Sequence, residues 1–362
     1  MSVRITFGMI VLNGEPFTCY NLRSLYPWAH QIIVVEGACR TAKNIATKDG
    51  HSVDGTLTSL RRFQADEDPE KKVLVVSARD EGFDDGFWPE KTEMCEAFAK
   101  RATGNYLWQV DSDEFYREEE MTKVLGFLSE GIGWATFPQQ SFWGGIDYVN
   151  NSIALAEFDL RGTGARLFAW GQGYRYAKHR PPTVLDEQGR DVKTKGCTFS
   201  CRQMKRLGIY RYHYCLVFPS QVLSKIGYYS VNSKVKAEQG GGFSSTILSW
   251  YEANFVRITR PYHLHNLPGC LSWIRPFRGA HPEQVVKMMA DIRDGRVSHE
   301  LRQTADIEAL MHSFVYRSAT RILDITVALR TSAAGYPLYR VCRGVLSRFR
   351  KGCELLIRCA KR

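Results

Sequence analysis

The chain has 362 residues, a formal net charge of +11, 44% hydrophobic and 24% charged residues, a balance that calls for a packed core and excludes global disorder. The charge is uneven: residues 313–362 hold eleven Lys or Arg against two acids, which leaves the rest of the chain close to neutral. An electrostatic partner is therefore expected at the tail, and no specific nucleic-acid partner is expected at the body.

Ten cysteines show no tight disulfide-framework spacing. The sequence opens on a strand-like run with no apolar signal region, and no stretch reaches the roughly 18 consecutive apolar residues of a spanning helix. The expected compartment is the cytosol, with reduced thiols.

In chain order, Arg4 to Leu12 (RITFGMIVL) reads as a buried strand that ends in Asn13-Gly14-Glu15. Residues 16–26 suit a helix. Gln31 to Val35 is a second apolar strand, ending at Glu36-Gly37. One helix is expected over 57–65, a third strand over 72–77 and a helix over 90–103, with Pro89 ahead of it and Gly104 behind. A fourth strand, Tyr106 to Val110, runs into Asp111-Ser112-Asp113. Apolar strands alternating with helices predict an α/β fold: a mixed, mainly parallel sheet with flanking helices.

Beyond residue 133 the pattern changes. Residues 134–138, 166–170 and 210–218 are strand-like, 220–229 and 246–253 helical, and from Pro282 the chain reads as a helical, basic extension with a break at Gly335-Tyr336-Pro337. The expected organisation is a catalytic domain over 1–281, with a donor-binding half at 1–133 and an acceptor-side half at 134–281, followed by the extension at 282–362.

Ligands of parallel sheets bind beyond the carboxyl ends of the strands. Asn13, Glu15, Glu36, Asp111 and Asp113 all follow such ends. Asp111 and Asp113 lie two apart at a strand end, so their carboxylates project to one side and repel unless a cation lies between them. A hard divalent ion, Mn²⁺ or Mg²⁺, resolves the repulsion and leaves positions for phosphate oxygens. Lys91 falls on the inward stripe of its helix, at an N-terminus that favours anions. It contacts a pyrophosphate there or extends its amine to solvent.

The run TGNYLWQVDSDEF, with VLNGEPF near the start and IIVVEGA after it, resembles the GT-A glycosyltransferases, the family 2-like members in particular. The likeness covers about residues 3–140 and continues more weakly through GARLFAW, KHRPP, YRYHY and PFRGAHP to about 282. It implies a GT-A fold and a D-x-D motif, Asp111 and Asp113, holding the metal that binds the diphosphate of a nucleotide-sugar donor. It also implies a downstream metal ligand, commonly a histidine; His213 is the choice, with His263 and His265 as rivals. One departure concerns the donor: many relatives end the second strand in Asp-Asp or Asp-Gly-Ser, and here it ends in Glu36-Gly37-Ala38, where Glu36 would take the base or ribose.

The expected reaction is therefore transfer of a sugar from a nucleotide-diphosphate donor to the hydroxyl of a saccharide or lipid-linked acceptor. The catalytic base is unassigned among Glu157, Asp159, Asp186 and Glu238, and His179 is a candidate acceptor contact. A zinc site from Cys197, Cys201, His213 and Cys215 lacks standard spacing. Residues 339–362 form a basic amphipathic pattern suited to an anionic membrane surface, peripheral at its inner face. The alternatives are a nucleotidyltransferase acting on a sugar phosphate, disfavoured because the loop after the first strand is not a glycine-rich basic one, and a non-catalytic membrane-surface binding protein.

Overall fold

The computed structural model describes residues 2–154, 156, 164–194, 198–238, 250–264, 271–332 and 335. Among them, β1 (Ile5–Val11), β2 (Ala29–Glu36), β3 (Val73–Val76) and β4 (Tyr106–Gln109) are parallel neighbours in the order β4-β1-β2-β3. The sheet extends past β4 through β9 (Ala165–Ala169), which is antiparallel, to β6 (Trp134–Thr136) and β12 (Thr198–Phe199). This is the expected α/β architecture with a mainly parallel sheet. Strands from both sides of residue 133 share it.

Side-chain alternation divides the core between the two sheet faces. Ile32 and Val34 pack with Phe7, Trp108, Leu60 and Phe63 on one face, against the helices α1 (Thr18–Leu25) and α2 (Thr56–Asp66). Ile33 and Val35 pack with Trp88, Met94, Phe98 and Phe168 on the other, under α3 (Lys91–Ala99). The strands read as continuous apolar runs because both faces are covered. Gly8 of β1 has a packing reason: a Cβ there would lie 2.5 Å from Phe98 Cδ2, so only glycine lets α3 sit this close to the sheet.

A further helix, α4 (Glu118–Ser129), was not expected from the sequence. Its first turn carries Glu118, Glu119 and Glu120, which complement the helix dipole, and Met121, Val124 and Leu128 form its buried stripe. A second sheet runs β14-β8-β7-β13-β5, from β5 (Glu114–Phe115), β7 (Gln139–Trp143), β8 (Tyr148–Ser152), β13 (Arg211–Leu216) and β14 (Ser272–Pro276). A hairpin of β10 (Arg175–Lys178) and β11 (Thr183–Leu185) completes the strands. After the short α5 (Cys201–Arg206), α6 runs from Pro219 to Glu238, longer than expected. Residues 251–256 form a wide π-type turn where an α-helix was expected.

The C-terminal stretch begins with α7 (Glu283–Arg293), whose Val285, Met288, Met289 and Ile292 pack with Phe17 and Tyr20 of the preceding body. It continues as α8 (Ala305–His312) and α9 (Phe314–Thr331). No helix among the described residues is long and apolar enough to cross a membrane. The tail 339–362, proposed from sequence as a membrane contact, lies outside the described residues.

Candidate functional site

The carboxyl ends of β1, β2 and β4 open into a cleft of about 590 Å³. Asp111, Ser112 and Asp113 line it, on a turn closed by Glu114 N donating to Asp111 O at 2.9 Å. The turn is held from beneath by Asn21 of α1. Its buried amide donates to Ser112 O at 3.1 Å and Glu114 O at 2.6 Å. β5 follows the turn and pairs antiparallel with β13, setting His213 opposite Glu114, while Tyr214 N donates to Asp113 O at 2.8 Å. Tyr212 and Tyr214 point into the apolar core, and the alternation turns His213 into the cleft.

The two aspartates have different partners. Asp111 Oδ2 accepts from Arg166 Nη2 and Arg180 Nη2, each at 3.1 Å. Burial raises its pKa, but the two guanidiniums outweigh burial and hold the carboxyl well below its ordinary value. Asp113 Oδ2 accepts from Lys225 Nζ at 2.7 Å and Gln221 Nε2 at 3.0 Å, and its Oδ1 lies 3.4 Å from His213 Nε2. Burial is again opposed, here by Lys225 and His213, and the Asp113 carboxyl also stays low. Glu114, fully buried, takes Arg166 Nη2 at 2.6 Å and faces Arg211 Nη1 at 3.3 Å.

Lys91, Arg166, Arg180, Arg211 and Lys225 thus line one cleft against Asp111 and Asp113. Arg166 Nε and Arg211 Nε are buried and have no hydrogen-bond partner among the described residues. Lys91 lines the cleft. Its Nζ sits 4.2 Å from the ring centroid of Tyr228, and burial lowers its pKa against the opposing pull of Cys39 and Asp111. His179 also lines the cleft, with Nδ1 3.3 Å from Cys95 Sγ, and burial beside Arg180 depresses its pKa to about 2, leaving a neutral imidazole.

Other expected residues are placed differently. Glu36 is fully buried and does not line the cleft: its oxygens are taken by His51 Nδ1 at 2.7 Å and Ser52 N at 2.8 Å, so Gly37 and Cys39 form that wall instead. Asn13 lines the cleft, but its side chain ties loops together, donating to Ile45 O and accepting from Val53 N, both at 2.8 Å. Glu15 borders a separate hollow of about 500 Å³ with Tyr20, Arg62 and His299. Asp186 is buried and accepts the backbone N–H of Gln188 and of Arg190, both at 2.9 Å, which makes it the organiser of a hairpin turn. His263 bridges to Ser272, away from the cleft lining. His265, Glu157, Asp159 and Cys197 lie outside the described residues, as does the side chain of Glu238.

Asp113 Oδ1 and His213 Nε2 form an oxygen–nitrogen pair facing the cleft, a donor set suited to Mn²⁺ or Mg²⁺ completed by phosphate oxygens and water. Asp111 is turned to its arginines, and among the described residues no group of three His, Cys, Asp or Glu side chains is arranged to hold a metal by itself. Two protein ligands leave the rest of an ion's shell to water or to a bound ligand.

The sequence did not single out Asn21, Arg166, Arg211, Gln221 or Lys225. A usable signal existed for two of them: Arg166 lies within the otherwise apolar β9 and Arg211 opens β13, whose tyrosines face the core, and an arginine buried in such a strand must be paired.

No family model matches the chain, and no curated protein matches it. Solved structures do. S. aureus TarS 1–349 matches over 65% of this chain and 65% of its own, at 11% identity and a TM-score of 0.38. The same protein in complex with UDP-GlcNAc matches over 46% and 45%, at 12% identity and 0.32. Glucosyl-3-phosphoglycerate synthase from Mycobacterium tuberculosis, in complex with Mn²⁺, UDP and glucosyl-3-phosphoglycerate, matches over 79% and 92%, at 15% identity and 0.32. In the two TarS matches this chain spans less than two thirds of the other. At these identities and scores the matches assign no activity to it.

Proposed function

We propose that the chain is a GT-A-type glycosyltransferase that uses a divalent metal and a nucleotide-diphosphate sugar. The observation that carries this reading is the Asp111-Ser112-Asp113 turn at the carboxyl end of a parallel strand, with Asp113 facing His213 inside a cation-lined cleft. A diphosphate there would meet Lys91, Arg180 and Lys225, and the buried Nε donors of Arg166 and Arg211 have hydrogen bonds left to give.

Asp113 and His213 would hold the metal, which supplies Lewis-acid neutralisation of the leaving diphosphate. Asp111 keeps the Arg180 guanidinium fixed at the cleft, and Arg166 keeps Asp111 ionised. In the reaction, the bond from the anomeric carbon to the acceptor oxygen forms and the bond to the phosphate oxygen breaks. The electron pair leaves with the nucleoside diphosphate. The acceptor proton passes to a base that the described residues leave unassigned. The acceptor, a saccharide or a lipid-linked hydroxyl, would enter from the side built by residues 134–281.

The test is a panel of nucleotide-diphosphate sugars assayed with Mn²⁺ and with chelator, for binding and for donor turnover. Wild type should bind and turn over at least one donor in a metal-dependent manner, and Asp113→Asn should lose about a hundredfold in rate. Absence of binding to every donor, or an Asp113→Asn rate equal to wild type, would sink the reading.

A further inference from the structure

We propose that the outward face of α9 docks on an anionic lipid surface. The helix is N-capped by Ser313, whose Oγ accepts from Tyr316 N, and its buried residues, Tyr316 and Thr320, lie on the side turned to the body. On that side the Tyr316 hydroxyl meets Ile274, accepting from its N–H at 3.1 Å and donating to its carbonyl at 3.2 Å. Asp324 accepts from Asn151 Nδ2 at 2.7 Å and Trp273 Nε1 at 3.0 Å and faces Arg275. The helix's single acidic residue is thereby engaged with the body.

The opposite side carries a row of large apolar residues from one end of the helix to the other. Phe314 is 75% exposed, Val315 73%, Ile322 65%, Ile325 59% and Leu329 65%. Val315, Ile322 and Leu329 recur every seven residues with Ile325 between the last two, the spacing of one helix face. Elsewhere the exposed large apolar residues are scattered, which is ordinary; a row of them on one helix marks a contact surface. Arg317 and Arg321 are exposed on the same helix, and Arg330 is half-buried near its end.

Charge selects the occupant. The exposed residues of α9 include arginines and no acid. Residues 336–362, which follow it, hold eight Lys or Arg and one acid. A second copy, or this tail folded back, would place cations against cations. An anionic bilayer complements both parts of the face: the apolar row enters the headgroup–acyl boundary, and the guanidiniums meet lipid phosphates.

The experiment is flotation of the full chain with vesicles of phosphatidylcholine, with and without phosphatidylglycerol. It reads membrane binding and not transfer, so its outcome is independent of the proposed activity. Wild type should float with the anionic vesicles and not with the neutral ones. Ile322→Glu/Leu329→Glu and, separately, Arg317→Glu/Arg321→Glu should each weaken partitioning at least about tenfold. All four positions are exposed, and thermal melting checks that each variant folds. The arginine pair decides the matter if the apolar pair fails to fold. Absence of flotation by wild type, flotation of the variants equal to wild type, or a dimer that the apolar pair abolishes without any vesicle binding would each overturn the proposal.

Discussion

Two stretches of the body bring unlike sets of charges to one cleft. Residues 1–133 bring the acids Asp111 and Asp113 on the turn after β4 and Glu114 at the start of β5, with one cation, Lys91, at the start of α3. Residues 134–281 bring Arg166, Arg180, Arg211, His213 and Lys225, from two strands, a loop and a helix. Neither set is stable when buried alone, because a desolvated charge without a partner costs several kcal/mol. Folding therefore couples the two stretches through the site itself. The difference teaches that the acids are close in sequence and the cations close only in space.

The strongest way to break this coupling is Arg166→Met, which leaves Glu114 and Asp111 short of a buried partner. Urea denaturation should show a loss of about 3–5 kcal/mol. An unchanged midpoint would mean the two stretches are joined by packing alone. Next is Asn21→Leu, which removes the amide under the Asp111–Glu114 turn without touching any charge in the cleft. Leaving those carbonyls unsatisfied should cost about 1–3 kcal/mol and raise KM for the donor. Stability lost with an unaltered KM would show that the turn keeps its shape by itself.

The smallest effect is expected from Asp111→Asn, read as stability against pH. The Asp111 carboxyl is depressed in the folded chain, so its contribution is present above the ordinary carboxylate value of 3.8 and is lost as pH falls through the lower folded value. Wild type should lose stability on acidification below that point, and the Asn variant should have a flatter acid limb in thermal melts from neutral pH downward. Parallel acid limbs would mean Arg166 and Arg180 do not bind the Asp111 charge more tightly in the folded state.

The first 133 residues were legible because their strands are buried on both faces and therefore read as unbroken apolar runs. β1 to β4 and the position of Asp111 and Asp113 followed from that. The stretch beyond them resisted for a physical reason. β7 (QQSFW) and β8 (YVNNS) are short, mixed in polarity and joined by a turn containing Gly144 and Gly145, so no period stands out. The face of β13 that carries His213 was legible through the tyrosines on either side of it, whereas its choice over His263 and His265 as a metal ligand came from the family resemblance. Glu36 misled because a carboxylate at a strand end looks the same whether it meets a ligand or, as here, closes a loop onto His51 and Ser52. Helix α4 was missed although its acidic first turn and apolar stripe were both present.

Gly8 has an effect far from where it sits. Phe98 rests on it near one end of α3, and Lys91 begins the other end, seven residues or about 10 Å along the axis. A helix is stiff over that span, so it behaves as a lever with its fulcrum on a missing methyl group. A methyl group at position 8 would push Phe98 away from the sheet, and through the stiff α3 that displacement would be carried toward Lys91. A residue that carries no side chain thus bears, from beneath, on the placement of a cleft cation.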